Sequence, residues 1–348
     1  MMKKSILLVL GLLLTPLACA ANDGFGGLSA TGLQFQQSAS VRMVSEDLFL
    51  SPSQVRVTYL FRNQGATETR GEIIFPLPPI SLAGLVESGF ALPEESLRRD
   101  NLVDFTARVD GKQIEVRSER IAVLEPPYDQ PRKASAVYDA PGKDVTGLLK
   151  EHGVPLSLNV DQVRAALASL PQTAKDQLKA KGLADFYEGE PPFPAWSIIV
   201  RYHWPQTFAP GRDVKIEHSY NPAPPGGIFV WPAGSNPLDP YQQQLVDTYC
   251  IDAGTRKALA KRLHRPNAGD LAGTGTAVLL DYVLTTANTW RGPIGAFRLT
   301  IDKGKPDNVL SLCVEGIRKT GATTFVVEKQ DFTPTQDLRL LIVSGLEP

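Results

Sequence analysis

The stretch Phe105-Thr106-Ala107-Arg108-Val109-Asp110-Gly111-Lys112-Gln113-Ile114-Glu115-Val116 decides the fold class. Two alternating runs flank Asp110-Gly111, a pair suited to a two-residue type I′ turn, which needs positive φ at both central positions. The segment predicts a β-hairpin over 105–116. Upstream, Val55-Arg56-Val57-Thr58-Tyr59-Leu60-Phe61 alternates with period 2, placing Val55, Val57, Tyr59 and Phe61 on one face. Asn63-Gln64-Gly65 turns the chain, and Gly71 to Phe75 reads as the returning strand. Pro76, Pro78 and Pro79 end it, because Pro cannot donate to a ladder.

Downstream, the same reasoning predicts strands at Trp196–Trp204, Val214–Tyr220, Thr276–Thr285, Phe297–Asp302, Val309–Val314, Thr323–Lys329 and Asp337–Val343. Short strands at turn-punctuated spacing predict a mainly β protein with sandwich-like antiparallel sheets. The period changes between about residues 144 and 182. Val145, Leu148 and Leu149 share a helical face ended by Gly153. Asn159 is placed to cap a helix carrying Val160, Val163, Leu167 and Leu170, and Pro171 either stops it or starts a following one through Leu178 with Gly182 as terminator. These make a small helical insertion. One further short helix is expected at 253–263, capped by Asp252.

Asn22–Gln37 reads as a surface crossing or an edge strand, and the Pro-rich Asn221–Pro240 as a structured loop. A boundary near Pro205–Gly211 would divide residues 21–205, an N-terminal β domain with the insertion, from a C-terminal β domain at 206–348.

The 348 residues are ample to bury a core without disulfides. Gly and Pro together are about 16% of the chain, above average and short of the level that signals disorder. A net charge of −1 excludes the broad basic field of a nucleic-acid binder. Lys3 and Lys4, the apolar run Ile6–Leu14 and the small residues Ala18-Cys19-Ala20 describe a secretory signal peptide over 1–20, cut near Ala20. The run is too short to span a bilayer, which takes about 20 apolar residues, and no later segment suffices. A lipobox would have Leu where this chain has Pro16, so lipidation at Cys19 is the weaker alternative. The expected address is the bacterial periplasm. Removing the signal takes two Lys and leaves 34 basic against 37 acidic residues, a charge of −3. It also leaves Cys250 and Cys313, which an oxidising compartment would join in one disulfide.

The chain resembles a bacterial exported family known as domain of unknown function 4424. The resemblance is carried by Asn22-Asp23, Ser45-Glu46-Asp47-Leu48-Phe49, Val55-Arg56-Val57-Thr58-Tyr59, Phe61-Arg62-Asn63 and Phe75-Pro76-Leu77-Pro78, with Trp290-Arg291-Gly292-Pro293-Ile294 and Phe332-Thr333-Pro334 near the C-terminus. It implies a periplasmic protein and brings no activity, cofactor or catalytic residue. A shorter likeness is carried by Arg62-Asn63, Glu72-Ile73-Ile74-Phe75-Pro76-Leu77-Pro78 and Val109-Asp110-Gly111-Lys112. It is similar to the vault/inter-α-trypsin β-domain, an interaction module.

Catalytic spacings are missing. The four histidines, His152, His203, His218 and His264, show no i, i+2 or i, i+4 pairing, and no His-Glu-x-x-His or Cys-x-x-Cys occurs, so no metal site is signalled. His203 and His218 fall on strands that could pair. Gly-x-Ser-x-Gly, Ser-x-x-Lys and phosphate-loop patterns are absent, and no cofactor is implied. Glu188-Gly189-Glu190, beside Phe186, Tyr187 and Phe193, is the one acidic pair with glycosidase-compatible spacing, against the plainer reading of a solvated loop. Trp196, Trp204 and Trp231 read either as sandwich core or as an exposed contact cluster, and Trp290-Arg291 as a partner anchor or a turn folded onto the sheet. The resulting expectation is a non-catalytic binding module of the cell envelope whose partner is an envelope protein or glycan. The alternative is a hydrolytic envelope enzyme using Glu188 and Glu190 or a dispersed His-acid site.

Overall fold

The computed structural model describes residues 23–346 except 30–31, 89–93, 127–141, 223, 225, 234–236 and 265–268. The expected signal segment and Cys19 lie outside the described residues.

The protein is mainly β. Its largest sheet has eight strands in the order Arg318–Lys319, Thr324–Phe332, Ile294–Asp302, Val41–Leu50, Val55–Asn63, Asp213–Tyr220, Thr106–Val109 and Lys112–Gln113. A seven-stranded sheet runs Lys143–Asp144, Arg117–Leu124, Ser197–Phe208, Thr69–Pro76, Gly24–Ser29, Gly32–Phe35, with Ile80–Ser81 beside Ser197–Phe208. A four-stranded sheet orders Gly226–Val230, Thr274–Tyr282, Leu338–Gly345 and Val309–Leu312. Ladders are antiparallel apart from the parallel pairing of Ile294–Asp302 with Val41–Leu50.

Alternation decides what these sheets bury. In Val55–Asn63, Val55, Val57, Tyr59 and Phe61 are buried, as period 2 predicts, while Arg56 and Arg62 face solvent. The inner face of the eight-stranded sheet contributes Val57, Tyr59, Phe61, Ile216, Leu48 and Leu299 to one core. That core also holds Phe75, Val200 and Tyr202 of the seven-stranded sheet and Leu280, Tyr282 and Leu340 of the four-stranded sheet. At about 1.5–3 kcal/mol per fully buried large apolar side chain, this shared core is the main source of stability. It also takes in residues from both sides of the boundary expected near Pro205–Gly211. Pro205–Phe208 is the end of the strand Ser197–Phe208, residues 209–212 cross from there to Asp213–Tyr220 in another sheet, and residues from both sides share a sheet and a core.

The hairpin turn forms with Asp110 at φ 48° and Gly111 at φ 79°, both left-handed as a type I′ turn requires. Its second arm is shorter than predicted. Only Lys112–Gln113 pairs there, and the chain then passes to the seven-stranded sheet as Arg117–Leu124. In the insertion, the Asn159 side chain accepts from the Gln162 N–H at 3.1 Å and opens the helix Val160–Ala168. Asp252 caps Ala253–Leu263 in the same way through Thr255.

The Pro-rich segment is more structured than a loop. It contains the edge strand Gly226–Val230, and Pro240 starts a helix, Pro240–Tyr249, with Asp239 and Gln242 forming a capping box. This helix and Ala253–Leu263 cover the outer face of the four-stranded sheet, packing Leu245, Tyr249, Leu259 and Leu263 on Phe229, Leu341 and Val343. Cys250 and Cys313 are bonded, as expected, joining the link between these helices to the chain just past Val309–Leu312. The segment after residue 23 is no surface crossing: Gly24–Ser29 lies inside the seven-stranded sheet, and Gly32–Phe35 forms its edge.

Candidate functional site

Of the two readings of the tryptophans, sandwich core and contact surface, the core reading is the one the structure has, and the binding role expected for Trp196, Trp204, Trp231 and Trp290 falls away. Trp196, Trp204, Trp231 and Trp290 are each at most 3% exposed. Trp290 packs between Phe25 (5.4 Å), Phe61 (4.4 Å) and Phe208 (5.8 Å), and its indole N–H donates to the Asp23 carbonyl at 3.0 Å. The turn therefore folds its Trp inward, because only the sandwich interior offers this much aromatic surface and a backbone acceptor together. Trp231 lies under the two helices, stacked on Phe229. Arg291 alone of that set is exposed.

Glu188 and Glu190 are both exposed, on the turn between the short strands Ala184–Asp185 and Phe193–Pro194, where Gly189 takes φ 78°. They lie on this solvent-exposed turn, outside the groove described below. His203 and His218 also stay apart. His203 faces outward from the seven-stranded sheet, with Nδ1 2.9 Å from Glu72 Oε2. His218 points into the core, with Nδ1 3.4 Å from Asp23 Oδ1 and both side chains fully buried. Burial raises the pKa of the Asp23 carboxyl, and His218 offsets part of that rise. The Tyr59 hydroxyl receives the Asp23 N–H and lies 3.1 Å from that of Tyr282, and both phenols are pushed well above their ordinary range, chiefly by burial. This cluster is sealed from solvent and fastens the chain at Asp23 between the sheets. Among the described residues no cluster of three His, Cys, Asp or Glu has a metal-binding arrangement.

A concave site does exist, on the opposite face of the eight-stranded sheet. It encloses about 630 Å³ and is built by strand register alone. Arg298 stands opposite Asp47, Asp47 opposite Thr58, Thr58 opposite Glu217, and Glu217 opposite Arg108. Two residues along each strand, a second row runs Thr300, Phe49, Arg56, Ser219 and Thr106 in the same pairings. With side chains alternating between faces, both rows must point away from the core. Five strands spaced about 4.8 Å apart make each row about 19 Å long.

Chemistry in the groove is polar with a positive surplus. Arg56 lies over the Phe49 ring at 4.4 Å, and Thr106 and Ser219 exchange a hydroxyl hydrogen bond at 3.1 Å. Glu217 is engaged by Lys215 at 2.6 Å. Among the described residues, the side chains of Arg56, Arg108, Arg298 and Asp47 have neither an ion pair nor a hydrogen bond. Three guanidiniums against one unengaged carboxylate leave a surplus of two positive charges. Sequence reading missed this site because its residues come from five segments, none carrying a local motif. Outward alternation of Arg56 and Thr58, and of Arg108 and Thr106, was the only available signal.

Fold and groove together define a multi-sheet β protein with a charged concave surface on its largest sheet. The chain belongs to the family described as a domain of unknown function, DUF4424, whose profile matches residues 21–341. No curated protein matches it. Among solved structures, it is similar to a protein described as a candidate nutrient binding protein from Legionella pneumophila subsp. pneumophila str. Philadelphia 1. That likeness has 15% identity and a TM-score of 0.46, covering 93% of this chain and 71% of the other. It is also similar to a two-domain M1 zinc metallopeptidase bound to L-tryptophan (10% identity, TM-score 0.27) and to the M1 zinc metallopeptidase of Deinococcus radiodurans (8%, 0.27). Here 88% of this chain is covered but only 44% and 43% of those proteins. None of these likenesses assigns a role to this chain.

Proposed function

We propose that this chain is an exported binding protein of the bacterial cell envelope, and that its ligand sits in the groove on the outer face of the eight-stranded sheet. The observation that carries the reading is the set of guanidiniums without ion pairs, Arg56, Arg108 and Arg298, held by register among the hydroxyls of Thr58, Thr106, Ser219 and Thr300. A volume of about 630 Å³ is within the range of small-molecule and oligomer sites. The reading is one of recognition rather than turnover, because the acids and histidines that might do chemistry stand elsewhere: Glu188 and Glu190 on an open turn, His218 inside the core. The signal-like residues 1–20 support export.

The test is photocrosslinking in living cells with a photoreactive residue at Thr58, in the groove, and at Glu188, outside it, alongside fractionation of the envelope. The expected result is an adduct at 58, absent at 188 and lost in the Arg108→Ala/Arg298→Ala double variant, with the protein in the periplasmic fraction. Equal labelling at both positions, or none at 58, would refute the groove as the site.

A further inference from the structure

The groove also carries information about what it binds. All five of its strands are interior to the sheet, each paired on both sides, so the backbone N–H and C=O groups beneath it are already used by neighbouring strands. A peptide that binds by adding a strand needs a free sheet edge, and this site has none. Recognition here falls to side chains. Those side chains are guanidiniums, which pair bidentately with carboxylate or phosphate, and short hydroxyls at Thr58, Ser219 and Thr300, which donate and accept without large apolar contact. Phe49 is the one aromatic in the groove, and Arg56 already covers it. The two end guanidiniums, Arg298 and Arg108, lie four strand spacings apart, about 19 Å. That separation favours a chain with repeated anionic groups over a single small anion.

Resting on the binding reading above, we infer that the groove takes an acidic oligosaccharide, a polyhydroxylated chain bearing carboxylate or phosphate groups. Its anionic groups pair with Arg108 and Arg298, and its hydroxyls meet Asp47, Thr58 and Glu217 between them and Ser219 and Thr300 in the adjacent row. Asp47, beside Arg298 and without an ion pair of its own, disfavours a ligand that is anionic at every position and selects one with neutral hydroxyls in between.

The experiment is an array carrying oligogalacturonate and phosphorylated oligomannose with their neutral counterparts, methyl-esterified oligogalacturonate and unphosphorylated oligomannose, probed with the full chain purified as its host processes it. Binding is expected on acidic spots and at least tenfold weaker on the neutral counterparts. The carboxylate and phosphate arms distinguish the two sources of charge. Arg108→Ala and Arg298→Ala are each expected to weaken it about tenfold, and Arg108→Lys to recover only part, since Lys cannot form the bidentate pair. Both positions are exposed, so the variants fold, and circular dichroism checks this. Dark acidic spots, equal signal on neutral ones, or full binding by the Ala variants would overturn the assignment. If crosslinking at position 58 succeeds while the acidic spots stay dark, the ligand class is wrong and the groove remains the site. If both fail, the binding reading falls as well.

Discussion

Replacing Trp290 with Ala tests whether the interior is assembled as described. The indole is 1% exposed, contacts three Phe rings and donates to the Asp23 carbonyl, the point where the chain enters the core. Truncating a buried Trp to Ala costs about 3–5 kcal/mol in transfer and cavity terms. Leaving the Asp23 carbonyl buried without its donor adds about 1–3 kcal/mol. These costs overlap, because the cavity opens next to the orphaned oxygen, so the expected total is about 4–6 kcal/mol. Trp290→Phe keeps most of the ring packing and loses the donor, and should cost about 1–3 kcal/mol. Urea unfolding followed by near-ultraviolet circular dichroism measures both. A Trp290→Ala cost below about 1 kcal/mol, typical of surface positions, would refute the placement of this side chain and the pinning of Asp23.

Three further outcomes follow from the same structure. Replacing Cys250 and Cys313 with Ala frees a loop whose ends are 63 residues apart, for which chain entropy gives a loss of about 4 kcal/mol; calorimetry with and without reductant checks it. Asp281, on the Thr274–Tyr282 strand, has its pKa raised to about 7, mainly by burial, with Arg339 at 3.9 Å only partly offsetting it. Because the folded state holds this proton more tightly than the unfolded chain, stability should fall as pH rises from about 4 to about 7, and Asp281→Asn should flatten that slope in denaturation curves. Asp239→Ala breaks the capping box of the Pro240–Tyr249 helix and should cost about 1 kcal/mol, read from the urea midpoint.

Much of the fold was legible because its signals are local. Asp110-Gly111 specifies its turn through backbone conformation, Asn159 and Asp252 specify helix starts through one side-chain oxygen each, and Val55–Phe61 announces its buried face by alternation. What stayed hidden was non-local. Gly226–Val230 is rich in Gly at its start and gains strand structure only by pairing with Thr274–Tyr282. The parallel contact of Ile294–Asp302 with Val41–Leu50 joins segments some 250 residues apart, from either side of the expected domain boundary, in one sheet. The aromatic residues drew attention at sequence level for their size, and size is why they are buried. The groove went unread for the opposite reason: Arg56, Arg108 and Arg298 are ordinary outward residues until register places them on one face.

The most direct test of that last point is amide shift mapping of the isotope-labelled protein during titration with oligogalacturonate. The account predicts shifts concentrated at residues 47–49, 56–58, 106–108, 217–219 and 298–300, absent when Arg108 and Arg298 are both Ala. Shifts elsewhere in the molecule, or none at all, would contradict it.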